Sequence, residues 1–142
     1  MVGGGPGCDH KFVSKILDQL IGGRTVIHAV DDKWGTPTYT NDFARNLGQL
    51  LERDAFGTYH MVCEGAGTRY DVAREIVAIS RRKGIEVRAV NSDFFATAYF
   101  VPRPRSEMMA NGRLHAIGLN LMRPWQAALR DYIHNHYAAV LA

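Results

Sequence analysis

A helix with clear start and stop signals, followed at once by a strand, is the feature that most constrains the fold of this sequence. Thr68 and Asp71 have the spacing of a capping box, and the apolar stripe that follows includes Ile76. Gly84 suits the left-handed position just past a helix end. The β-rich run at 85–90 comes directly after it. This helix-to-strand unit predicts an α/β fold.

The same alternation runs along the rest of the chain. Apolar stripes and β-rich runs predict helices at 12–20, at 43–51, around Leu114 and from Pro124 onward, and strands at 26–30, 58–63 and 85–90. We therefore predict an α/β fold with a small sheet of about three short strands and four or more helices. A length of 142 residues suits one domain, residues 1–142. So small a sheet indicates that the chain is part of something larger.

Charge and composition narrow the expected partners and compartment. The net charge is +3, and the only dense basic run, 81–83, lies at a predicted helix end, where cations favour the helix dipole. We therefore expect no nucleic-acid partner. No apolar run approaches the ~18 residues of a membrane span, and nothing before Gly3 resembles a signal peptide. Cys8 and Cys63 show no paired spacing, which predicts a reducing, cytoplasmic location.

The glycine-rich start "MVGGGPG" raises the possibility of a cofactor loop. A dinucleotide-binding loop needs a strand in front, glycines spaced G-x-G-x-x-G, and a helix behind. No strand fits before Gly3, and Cys8 stands where the last glycine of that pattern would fall. We interpret this stretch as a turn that leads into the first helix, and we predict no cofactor-binding residue.

The sequence also lacks the motif of short-chain reductase catalysis and the residue spacing of zinc sites. Short-chain reductases use Tyr-x-x-x-Lys, in which the lysine lowers the pKa of the tyrosine. No tyrosine here has that lysine; Tyr70 with Arg74 comes nearest, and we interpret it as a packing pair. The adjacent residues 8–10 and the pair His134 and His136 do not fit zinc spacing. We predict no catalytic residue and no metal site.

The loop "DDKWGTPTYT", residues 31–40, carries the first group of candidate binding residues. It surrounds a rigid Gly-x-Pro with an indole and with hydroxyl groups, which suits ring stacking and hydrogen bonding to a ligand. The candidates are Trp34, Thr36 and Thr38. A plain turn with a helix cap at Thr40 remains an alternative.

The segment "PRPRS", residues 102–106, carries the second group. Its prolines hold Arg103 and Arg105 on a stiff, extended backbone. A guanidinium group can grip a phosphate with two parallel hydrogen bonds, so these arginines are candidates for phosphate binding. A loop pinned by surface salt bridges remains an alternative.

Four segments, taken in order, carry a family resemblance. "VDDKWGTPTYTNDFARNLGQLL", "GTYHMVCEGAGTRYDVAREI", "PRPRSEMM" and "MRPWQAALRDYI" resemble the C-terminal half of the dTDP-4-dehydrorhamnose reductases. These enzymes are extended short-chain dehydrogenases/reductases that act on nucleotide-diphosphate sugars. The resemblance extends from about Gly3 to Ile133. It implies the C-terminal, substrate-binding part of such an enzyme, with the Rossmann half absent and the first residues forming the loop after a late strand.

The resemblance also implies a ligand and roles for the candidate residues. The ligand would be a dTDP-sugar, in dTDP-rhamnose synthesis for cell-surface polysaccharide. Arg103 and Arg105 would face its pyrophosphate or stabilise a closing loop, and Trp34, Thr36 and Thr38 would lie near the sugar. The full-length family uses NADPH or NADH. Hydride transfer needs the nicotinamide held against the sugar, so we expect no reductase activity from this chain alone.

The resemblance also bears on protein partners and on an alternative function. A face that packs on the missing Rossmann half would expose apolar surface, so we expect that half or a second copy of the chain to cover it. An alternative function is a non-catalytic regulatory or protein-interaction module. The regulatory subunits of methionine adenosyltransferase resemble the same reductases and supply the precedent for it.

Overall fold

A computed structural model gives the structure of the protein and describes residues 2–97 and 103–141. The helices are α1 (Phe12–Ile21), α2 (Thr40–Glu52), α3 (Arg69–Ser80), α4 (Gly112–Ala116) and α5 (Trp125–Leu141), with a 3-10 turn at Ser92–Phe95. The strands are β1 (Val26–Val30), β2 (Trp34–Gly35), β3 (Gly67–Thr68), β4 (Glu86–Val90) and β5 (Ser106–Glu107). The α/β class predicted from the sequence is confirmed.

The strands form two small sheets instead of the single sheet expected. β1 and β4 run parallel in one sheet, in register from Val26 opposite Glu86 to Val30 opposite Val90. The second sheet has the order β3-β2-β5, in which β2 is antiparallel to β3 and parallel to β5. The two-residue strands of this second sheet were not expected, because strands so short have no periodicity.

One hydrophobic cluster joins the elements. Helices α1 and α3 pack on each other, α3 covers β1, and α5 packs on α3. Leu17, Ile27 and Ile76 have no exposed surface, and each such side chain contributes about 1.5–3 kcal/mol by leaving water. Tyr132 of α5 is equally buried, and its ring meets that of Tyr39 edge-on, with centroids 5.6 Å apart. The predicted apolar stripes of α1, α3 and α5 therefore face one common core, whereas the predicted stripe of α2 does so only in part, since Leu47 and Leu51 are exposed.

The start of α3 is capped as the sequence predicts, but its end differs. The Thr68 Oγ1 atom accepts a hydrogen bond from the Asp71 N–H at 3.1 Å, and the Asp71 carboxylate accepts one from the Thr68 N–H at 2.8 Å. The helix ends at Ser80, and Arg81 takes the left-handed conformation expected of Gly84. Gly84 also has positive φ, but it serves the turn into β4.

The predicted strand at 58–63 is wrong, because no strand is assigned there. The segment does run to the core, where Val62 is buried. The backbone of Val62 is hydrogen-bonded to the side chain of Asn111 instead of to another strand. Asn111 Oδ1 accepts a hydrogen bond from the Val62 N–H at 2.9 Å, and Asn111 Nδ2 donates one to the Val62 carbonyl at 2.7 Å. The amide of Asn111 thus takes the place that a neighbouring strand would occupy.

The glycine-rich start forms a turn into α1, and α5 holds it in place. Asp9 accepts a hydrogen bond from the Lys11 N–H at 2.9 Å and another from the Tyr132 hydroxyl at 2.9 Å. Gly5 has φ +66, and a Cβ there would collide with the His136 ring. Burial, together with hydrogen bonds to Tyr137 and Asp9, raises the pKa of Tyr132 well above its ordinary value.

Two further sequence interpretations concern the helices. Arg74 lies over the Tyr70 ring, 5.6 Å from its centroid, as expected for a packing pair within α3. Of the helices formed by residues 2–97 and 103–141, none is both long and apolar enough to cross a membrane.

Candidate functional site

The loop after β1 lies beside the ends of both parallel strands. The Asp31 N–H donates to the Val90 carbonyl at 3.1 Å, so β1 and β4 end side by side. In open α/β sheets, ligands bind beyond the carboxyl ends of the strands. The candidate site is therefore the surface formed by the β1–β2 loop and by the segments that contact it.

Asp32 ties this loop to the segment that follows β4. Its carboxylate accepts hydrogen bonds from the Ser92 N–H at 3.1 Å and from the Ser92 hydroxyl at 2.9 Å. Burial alone would raise the pKa of Asp32, but the bonds from Ser92 and the charge of Lys33 outweigh it and leave that pKa below its ordinary value. Asp32 is thus a carboxylate that fixes the loop.

The next two residues hold the arginine segment. Lys33 Nζ donates to the Arg103 carbonyl at 3.0 Å, and the Trp34 N–H donates to the Arg105 carbonyl at 2.9 Å. Trp34 lies opposite Ser106 in the β2–β5 pair, so these two side chains share one face of the sheet. The indole is 47% exposed. The structure therefore brings together Trp34, Arg103 and Arg105, which are far apart in sequence.

The side chains of Arg103 and Arg105 extend into solvent. Both residues are exposed, and their guanidinium groups bond to none of the residues that the structure describes. Arg103 and Arg105 thus place two exposed cations two positions apart on one segment, an arrangement that can bind an anionic group. Pro102, the first proline of the predicted stiff segment, lies outside the described residues.

The two threonines lie on the inner side of the loop. The Thr38 hydroxyl donates to the Thr36 carbonyl at 3.1 Å and accepts from the Cys63 N–H at 3.3 Å. Thr38 is buried, and Thr36 is half-buried. The Thr38 hydroxyl is therefore engaged by the protein itself, and a ligand role for either threonine stays a prediction.

A family model described as the RmlD substrate binding domain matches residues 7–138, nearly the whole chain. The chain belongs to this family. The resemblance noted in the sequence is thereby confirmed, and with it the α/β fold of the C-terminal part of these reductases.

Similar proteins are reductases more than twice as long as the matched region. The dTDP-4-keto-6-deoxy-D-glucose reductase of Streptomyces niveus is 34% identical over 121 residues, which cover 84% of this chain and 40% of the relative. The dTDP-4-dehydrorhamnose reductase of Yersinia enterocolitica superposes with a TM-score of 0.85 at 31% identity, over 94% of this chain and 46% of that one. The Bacillus anthracis reductase solved in complex with NADP shares the fold, with a TM-score of 0.78 at 24% identity, over 91% and 44%. This RmlD substrate-binding domain thus spans less than half the length of each.

A second polar cluster in the RmlD substrate-binding domain was not expected from the sequence. Glu64 Oε1 accepts hydrogen bonds from Asn120 at 2.7 Å and from Asn111 at 3.0 Å, and lies 3.0 Å from His115 Nε2. Burial raises the pKa of Glu64, but these bonds outweigh it and lower that pKa below its ordinary value. The partners are 47 to 56 positions apart in sequence, so their spacing gives no signal. The cluster fastens α4 to the segment before β3.

A partly buried ion-pair network of three residues in the same domain was also missed. The guanidinium of Arg123 lies 2.9 Å from Asp42 Oδ1 and 2.5 Å from Asp131 Oδ2, and Asp42 is 2% exposed. Hydrogen bonds to Asp131 and Asp42 raise the pKa of Arg123 above its ordinary value. Asp42 belongs to α2 and Asp131 to α5, so Arg123 links two helices. Asp42 is buried, whereas Arg123 and Asp131 keep 33% and 50% of their side-chain surface exposed, so the three residues lie at the edge of the core.

Proposed function

We propose that this chain is the substrate-binding part of an NAD(P)H-dependent dTDP-sugar reductase, acting in dTDP-rhamnose formation for cell-surface polysaccharide. The observation that carries the proposal is the match of the RmlD substrate binding domain to residues 7–138. The names of the relatives supply the reaction class, reduction of a dTDP-4-keto sugar. The ligand of this chain is accordingly a dTDP-sugar.

The geometry of the β1–β2 loop supports the site of binding. Arg103 and Arg105 are exposed beside Lys33, and guanidinium groups suit the two phosphates of a nucleotide diphosphate. The exposed Trp34 indole offers a flat apolar surface to a sugar or base ring. In the proposed complex Thr36 and Thr38 lie near the sugar pocket, where the buried Thr38 supports the loop from its inner side.

The small parallel sheet supports a requirement for a separate cofactor-binding part. Within the described residues β1 and β4 pair only with each other, and parallel sheets normally have more strands and are covered on both faces. We propose that residues 1–142 act as one domain, in the cytoplasm, and that a Rossmann part holding NADPH or NADH, or a second copy of the chain, packs on them. Alone, the chain binds the sugar nucleotide without reducing it.

Calorimetric titration with dTDP tests the binding site. The chain should bind dTDP, and the double variant R103Q/R105Q should weaken binding at least about tenfold, because two phosphate contacts are lost. The matched control R45Q/R53Q removes the same charge from exposed positions of α2 and its end, and should bind as wild type does. Equal affinity of R103Q/R105Q and wild type would place the diphosphate elsewhere.

Oxidation of NADPH or NADH with a dTDP-4-keto-6-deoxy sugar tests the division of labour. The pure chain should give no turnover, and turnover by it would contradict the proposal. Absence of dTDP binding, combined with self-association in sedimentation, would instead favour the alternative of a non-catalytic interaction module. The exposed Leu47 and Leu51 on α2 are the surface that such a module would use.

A further inference from the structure

Lys33 makes a contact that the proposed phosphate site does not by itself require. Its ammonium group donates to the backbone carbonyl of Arg103, 70 positions away, at 3.0 Å. The next residue, Trp34, bonds through its N–H to the carbonyl of Arg105. Two consecutive residues of the β1–β2 loop therefore hold the two arginines by their backbone carbonyl groups, and leave both guanidinium groups free to meet a ligand.

The surroundings of Lys33 explain why its ammonium group is available for this bond. Asp32 is the adjacent carboxylate, but both of its oxygens accept hydrogen bonds from Ser92. Among the residues that the structure describes, Lys33 forms no ion pair. The exposed acidic residues nearest to it in these segments are Asp31 in the same loop and Glu107 in β5, and neither forms an ion pair with it. The Arg103 carbonyl is thus its partner.

We propose that Lys33 is a positioning residue for nucleotide-diphosphate binding, acting through Arg103. By holding the carbonyl of Arg103, Lys33 fixes the backbone from which that guanidinium extends. A side chain anchored in this way loses less conformational freedom when a ligand binds, which increases affinity. The inference rests on the proposed binding of a dTDP-sugar at this loop.

Calorimetric titration with dTDP tests the inference in a set of full-length variants. K33M keeps the apolar stem and removes the donor, and it should weaken dTDP binding about fivefold, the scale of one lost ordering contact. K33R restores a charged donor and should remain within about twofold of wild type. K15M makes the same charge change at an exposed position of α1 and should have no effect.

A double-mutant cycle decides whether Lys33 acts through Arg103. In the R103Q background, K33M should cause no further loss, because the guanidinium that it positions is gone. A fivefold loss in that background as well would mean that Lys33 attracts the ligand directly and would overturn the inference.

Three other results would also overturn it. The first is wild-type affinity in K33M. The second is a K33M chain that loses thermal stability together with affinity and that K33R does not rescue, because Lys33 would then be merely structural. The third is a wild-type chain that binds no dTDP, which overturns the proposed function as well; the first two leave the proposed function standing.

Discussion

Replacing Asn111 with alanine tests how the segment before β3 is held. The Asn111 side chain is 2% exposed and bonds to both backbone groups of Val62, a residue that is itself 5% exposed. The N111A variant leaves a buried N–H and a buried carbonyl without partners. It also removes one of the donors to Glu64.

The size of the effect follows from these contacts. A buried backbone group without a partner costs about 1–3 kcal/mol, and two such groups together should lower the free energy of unfolding by about 3 kcal/mol. That loss is large beside the total of about 5–15 kcal/mol that is typical of a domain. If the free energy of unfolding falls by about 2 kcal/mol per molar urea, the urea concentration at the unfolding midpoint should be lower by about 1.5 M in N111A.

Urea unfolding followed by far-ultraviolet circular dichroism measures this loss. N135A, an exposed asparagine of α5, is the matched control and should unfold close to wild type. N111D keeps the acceptor for the Val62 N–H but turns a carboxylate towards the Val62 carbonyl, so it should be destabilised at neutral pH and recover part of the loss on acidification. A loss below about 1 kcal/mol in N111A would refute the reasoning.

Three further predictions concern stability and reactivity. Gly48→Ala should raise the free energy of unfolding by about 0.5–1 kcal/mol, because Gly48 lies within α2 and a Cβ there meets open space. Gly57→Ala should lower the free energy of unfolding, because Gly57 has φ +125 and a guanidinium group fills the space next to it. Urea unfolding measures both changes. The pKa of Glu64 is lowered from 4.5, so ionised Glu64 stabilises the folded chain above that pH, and this stabilisation is lost as pH falls through the folded-state pKa. In Glu64→Gln the thermal midpoint should therefore fall less steeply on acidification than in wild type. An unchanged slope would contradict this. Burial raises the pKa of the Cys63 thiol, so a thiol reagent should modify only Cys8 in the native chain and both cysteines in urea; rapid native modification of both would count against the buried placement.

Local signals predicted most of the helices and the parallel strand pair. The capping box of Thr68 and Asp71 lies within one helical turn, and a short apolar run such as Val26–Val30 predicts a largely buried strand. The segment 58–63 was misread because its β-rich composition describes an extended chain and does not say what will pair with it. Its partner, Asn111, lies 49 positions from Val62. No local pattern carries that information.

The candidate site divides in the same way. Trp34, Arg103 and Arg105 were named because of their chemistry within short loops and because of the family resemblance. Their proximity could not be predicted, since it depends on the pairing of β2 with β5, two-residue strands that leave no pattern in the sequence. The hydrogen bond from Lys33 to the Arg103 carbonyl joins residues 70 positions apart. Because every residue has a backbone carbonyl, the amino-acid sequence does not indicate which carbonyl Lys33 contacts.

The hydrogen bond between Tyr132 and Asp9 spans 123 positions and has a consequence for biosynthesis. While the chain emerges from the ribosome, Asp9 and the ring of Tyr39 are synthesised long before Tyr132, the aromatic residue that contacts both in the folded structure. Early segments can form their helices as they emerge, but closing so long a loop costs chain entropy that only the finished core repays. Native packing around Asp9 is therefore completed only after α5 has been synthesised, and a nascent chain stalled before Tyr132 leaves Asp9 without this hydrogen bond.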